Sequence, residues 1–72
     1  MDKYKNLKNT LFRMAYFERK EWERRRGDGS PKYLVEFHEA RFGMLLSVIE
    51  VSSLINEYNA WAAQEEVKET TS

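Results

Sequence analysis

Cysteine is absent from the 72 residues, which include only one proline, three glycines and one histidine. Without cysteine there is no disulfide staple and no thiolate zinc site. So few helix breakers leave little that could interrupt a long element. Neither sign of charge is in excess, with twelve Lys/Arg against twelve Asp/Glu. A long apolar run is missing too. The most apolar stretch, Phe42 to Ile55, is interrupted by Glu50 and three serines. A membrane span needs about 20 apolar residues, so this stretch reads as a core helix and no membrane is expected. No apolar run follows Met1-Asp2-Lys3-Tyr4-Lys5, so no secretory signal is expected, and the reading places the chain in the cytoplasm.

What is present is 42% hydrophobic residues, 33% charged and 14% aromatic. That mixture argues for a folded chain rather than a disordered one. The length allows a single domain, residues 1–72, whose own core is marginal because a chain this short buries only about 60% of its unfolded surface. The charge is unevenly placed. Residues 1–26 carry nine Lys/Arg against four acids, a net +5, and residues 27–72 carry the balancing −5. The two segments attract each other or attract different partners.

The strongest punctuation is Gly27-Asp28-Gly29-Ser30-Pro31. Gly27 suits the left-handed position after a helix, Arg24 to Arg26 suit a helix's negative end, Ser30 an N-cap and Pro31 a first helical position. The expectation is an all-α antiparallel two-helix hairpin, with helix 1 over 2–26, a turn at 27–30, helix 2 over 31–66 and a frayed tail at 67–72. At 100° per residue, Tyr4, Leu7, Leu11, Met14, Ala15, Glu18 and Trp22 form the inner stripe of helix 1. The main stripe of helix 2 is Tyr33, Phe37, Met44, Val48, Val51, Ile55, Tyr58 and Ala62, with Arg41 among them. Pairing about the loop sets residue i opposite about 58 − i, which brings Glu18 level with Arg41. Each is the lone charge of its stripe, and the two are expected to meet as a structural ion pair.

A second stripe on helix 2, Val35, Phe42, Leu45, Leu46 and Ile49, is left without cover by this pairing. It is expected to form a homodimer interface, closing a four-helix bundle. Helix 2 also outruns helix 1, so Tyr58 and Trp61, with Glu57 and Glu50 beside them, are expected to meet a protein partner. The outer face of helix 1 gathers Asn6, Asn9, Arg13, Phe17, Lys20 and Arg24, residue types that contact phosphates and stack on bases. His38 has no second ligand at metal-binding spacing, so neither a metal nor a cofactor is expected. There is no nucleophile–base set and no glycine-rich phosphate loop, so the chain does not read as an enzyme. Arg26-Gly27-Asp28 is ordinary turn chemistry. The sequence therefore reads as a small protein–protein interaction module acting as a homodimer. RNA or DNA binding through helix 1 is the alternative.

Overall fold

A computed structural model describes residues 2–71, and these form three helices with no strand among them: α1 (Lys3–Gly27), α2 (Lys32–Val51) and α3 (Ile55–Thr71). At 1.5 Å per residue they are about 37, 30 and 25 Å long.

The start of α1 is set by Asp2, whose side chain accepts from the Lys5 amide at 3.2 Å. Three arginines crowd its last turn, where cations complement the exposed carbonyls. The left-handed residue after it is Gly29 at φ +78°, not Gly27, which is still helical. The Ser30 amide then reaches back to the Arg25 carbonyl, closing the turn. Ser30 does not cap α2. Its amide and hydroxyl both donate to Asp28, and Pro31 takes the cap position through its backbone carbonyl.

The single long helix 2 expected over 31–66 is replaced by two. Helix α2 stops at Val51, and the chain turns through Ser52 and Ser53. The Leu54 amide donates to the Ile49 carbonyl at 2.9 Å, and the Ser53 amide to the Glu50 carbonyl at 3.0 Å. These are the two bonds of a Schellman turn, with Ser53 at φ +60° in the place glycine usually takes. The accompanying apolar contact is Leu54 with Ile49, and both are buried. Leu54 at once begins α3, its carbonyl accepting from the Tyr58 amide at 2.8 Å. Nor does the chain fray at residue 67. The helix runs on to Thr71, and Ser72 lies outside the described residues.

Helix α2 runs antiparallel to α1, with Glu18 against Arg41 and Met14 beside Met44. Helix α3 then folds back and runs parallel to α1. Lys8 meets Glu57, Arg19 meets Glu66 and Lys20 meets Glu69, so the sequence separation stays at 47 to 49 along the whole contact. The core is small and lies where the three helices meet: Phe12, Ala15 and Tyr16 from α1, Ile49 from α2, Leu54 from the turn, and Tyr58 and Ala62 from α3. Leu11, Phe42, Leu45, Leu46, Ile55 and Trp61 pack around it.

This reverses the expected packing of α2. Phe42, Leu45, Leu46 and Ile49, expected at a dimer interface, are turned inward, with Ile49 fully buried. Val35 is half-buried. The stripe expected inside is instead exposed: Tyr33, Phe37, Met44, Val48 and Val51. The cause is α3. Once it folds onto α1 it supplies a third wall, and the side of the hairpin facing that wall becomes the core.

Candidate functional site

Three arrangements of side chains stand out. The first lies between α1 and α2. Glu18 is only 5% exposed. Its Oε1 accepts from Arg41 Nε at 2.9 Å, and its Oε2 lies 2.7 Å from His38 Nδ1. An ionised carboxylate only accepts, so His38 presents its Nδ1 hydrogen to it. Burial pushes the Glu18 carboxyl up, but the hydrogen bonds from His38 and Arg41, helped by the charge of the guanidinium, outweigh it and hold the group below its ordinary value. The guanidinium of Arg41 also lies 5.3 Å from the Phe37 ring centre. Sequence reasoning placed Glu18 with Arg41 but left His38 out. The signal was available, because His38 sits one turn before Arg41 on the side that faces α1. The arrangement fixes the register of two helices.

The second arrangement is the contact of α1 with α3. Phe12 packs edge-on against Tyr58, ring centres 5.4 Å apart, and lies 5.8 Å from Trp61. Tyr16 stands perpendicular to Trp61 at 5.6 Å. Along this aromatic seam run the three ion pairs, at 2.8 Å (Lys8–Glu57), 3.1 Å (Arg19–Glu66) and 3.2 Å (Lys20–Glu69). The hydrogen bond that it donates to Glu57 raises the Lys8 ammonium's pKa. Burial raises those of the Tyr16 and Tyr58 hydroxyls. Here the positive first third of the chain meets the negative remainder.

This seam changes two expectations. Tyr58 and Trp61 do not overhang. Tyr58 is 2% exposed and Trp61 half-buried, because the break at Ser52–Ser53 turns them back onto Phe12. Glu57, expected beside them at a partner, pairs with Lys8, while Glu50 stays exposed. The basic face of helix 1 is likewise divided. Asn9, Arg13, Phe17 and Lys20 line an open groove of about 580 Å³ between α1 and α3. Glu65 and Glu69 stand on its opposite wall. Lys20 is paired with Glu69, and Arg24 is tied to Glu21 at 2.6 Å on its own helix. Asn6 is exposed. Two of the three cations on this face, Lys20 and Arg24, are thus paired with acidic side chains of the same chain.

The third arrangement is the side of the hairpin away from α3. Leu7 and Met14 of α1 and Phe37, Met44, Val48 and Val51 of α2 are all exposed there, Val51 at 86% and Leu7 at 71%. On α2 they recur at intervals of seven, four and three residues, a single stripe along the helix. Met14, Arg41, Met44 and Leu45 enclose a shallow depression midway along it. The one charge in the stripe is Arg41, already neutralised by Glu18. Sequence reasoning found these residues but assigned them to the inside.

No family model, no curated protein and no solved structure matches the chain. Among the described residues, no group of three or more His, Asp or Glu is placed to hold a metal ion, and no helix is long and apolar enough to cross a membrane.

Proposed function

We propose that the protein is a non-catalytic interaction module whose working surface is the bare side of the α1–α2 hairpin, and that its partner there is a second copy of itself. The observation that carries this reading is the continuous apolar stripe Phe37, Met44, Val48, Val51 with Leu7 and Met14 beside it. These side chains expose on the order of 600 Å², at the upper end of the roughly 300–600 Å² of the largest patch on a monomer and approaching the roughly 800 Å² per partner of a standard interface.

The stripe's chemistry favours like on like. With Arg41 balanced inside its own chain, two copies can face each other without bringing net charge together. A two-fold axis near Met14 and Met44 lays the Phe37 end of one copy on the Leu7–Val51 end of the other. The α2 side chains at both ends, Phe37 and Val51, are exposed and apolar, and each covers the other, as an isologous interface requires. Two hairpins joined in this way make a four-helix layer with an α3 on each outer side.

Light scattering after gel filtration tests the proposal. The wild-type chain is expected at twice 8.6 kDa, and Met44→Glu at the single mass with unchanged helical circular dichroism. A wild-type chain that stays at the single mass at every concentration overturns self-association. A Met44→Glu chain that keeps the double mass moves the interface elsewhere.

A further inference from the structure

The turn between α2 and α3 lacks the residue that such turns ordinarily carry. Ser53 stands at φ +60°, the one non-glycine residue of positive φ among those described. An L residue resists this conformation, and helix ends that use it ordinarily place glycine there. Neither glycine nor proline occurs after Gly43. The apolar spacing Val48, Val51, Ile55, Tyr58, Ala62 crosses the turn without a change of phase, as in one continuous helix. What opposes straightening is the surface on which α3 lands: Phe12, Tyr16 and the cations Lys8, Arg19 and Lys20.

A second copy presents that same surface. We infer that two copies refolding together exchange α3 in a minor share of the molecules, so that the bulk of the Met44→Glu chain keeps the single mass. In the exchanged form α2 and α3 become one helix of about 40 residues, about 60 Å long. The α3 segment of each copy then lies along α1 of the other. Lys8–Glu57, Arg19–Glu66, Lys20–Glu69 and the Phe12–Tyr58–Trp61 packing are all remade between chains, and the contact given up is the closure of Leu54 onto Ile49 at the turn. The change of conformation is confined to Ser52, Ser53 and Leu54, and Ser53 moves from a left-handed to a helical one. A short connection holding backbone strain is the circumstance in which such exchange costs least. The inference is independent of the face-to-face pairing proposed above, because exchange leaves Met44 and Val51 bare.

Isotope-resolved crosslinking tests it. Light and heavy copies of the Met44→Glu chain, in which face-to-face pairing is expected to be lost, are mixed unfolded and refolded together. A zero-length carbodiimide then joins Lys8 to Glu57 and Lys20 to Glu69, and mass spectrometry reads whether each linked pair carries one isotope or two. Exchange predicts two-isotope pairs. Their share is expected to fall about fivefold in Ser53→Gly, where the left-handed residue is relieved. It is expected to rise in Ser52→Ala/Ser53→Ala, where helix propensity favours the straight form. Linked pairs of one isotope only, or a mixed share that Ser53→Gly leaves unchanged, overturn the inference. Should the alanine variant lose its helical signal, the comparison of the Met44→Glu chain with and without Ser53→Gly decides alone.

Discussion

Ile49 and Val51 sit two residues apart on the same helix and have opposite surroundings. Ile49 is fully buried, whereas Val51 is 86% exposed. The same contrast separates Phe12 from Met14 on α1, at 2% and 46% exposure. The two faces of the hairpin are similarly apolar, yet only one is a core. Hydrophobicity alone did not choose between them. The choice was made by α3, which brings Tyr58, Trp61 and Ala62 to one side and three carboxylates to the matching cations. In a chain this small, a third element decides what the first two bury.

The contrast can be broken most severely at Phe12. Phe12→Ala removes the ring that touches both Tyr58 and Trp61 and is expected to cost about 3–5 kcal/mol in denaturant unfolding. Met14→Ala, across the helix, is expected to cost less than about 1 kcal/mol at concentrations where the chain is monomeric. Next comes α2. Ile49→Ala is expected to cost about 2–4 kcal/mol, and Val51→Ala to stay within about 0.5 kcal/mol. A Val51→Ala cost as large as that of Ile49→Ala would mean that the outer face is covered even in the single chain.

Smaller effects sharpen the electrostatic side of the comparison. Glu18→Ala leaves Arg41 and His38 without their shared acceptor. Arg41's side chain is 48% exposed and softens the loss, so about 1–2 kcal/mol is expected, more than for Glu21→Ala. The pH dependence follows from the depressed Glu18 carboxyl. As pH falls through the ordinary glutamate value of 4.5, the unfolded chain takes up a proton before the folded one does. The stabilisation is therefore complete above that value and is lost as pH drops toward the lower folded one. Glu18→Gln should flatten this acid limb, which thermal melts between pH 6 and pH 3 would show. The smallest effect belongs to the ladder between α1 and α3. Its pairs are partly exposed, so 1 M salt, with a screening length of about 3 Å, should lower the melting temperature only slightly.

Much of this architecture is legible in the residues. Gly27 to Pro31 mark the first turn, and the antiparallel pairing that follows sets Glu18 level with Arg41. The charge imbalance between residues 1–26 and the remainder points to attraction between them, and the α1–α3 ladder is where that attraction is spent. The second turn is not legible by the usual signs. Ser52-Ser53 is weak punctuation inside an apolar run, and its left-handed residue is not a glycine. With that turn missed, helix 2 reads as one long element, Tyr58 and Trp61 seem to project, and the wrong stripe faces inward. One residue pair thus accounts for the misplaced interface and the misplaced overhang together. A subtler clue existed in Leu54, an apolar residue directly after the serines that can close onto Ile49.

The parallel course of α1 and α3 has a mechanical consequence. Lys3 opens α1 and Thr71 closes α3, so in the parallel register set by Lys8–Glu57 and Lys20–Glu69 they lie at opposite ends of the contact. Tension applied between these ends pulls α1 and α3 along each other rather than apart. Phe12 against Tyr58 and Trp61, and all three ion pairs, then carry the load in shear at the same moment. Had α3 run antiparallel to α1, the same contacts would have been peeled open one after another.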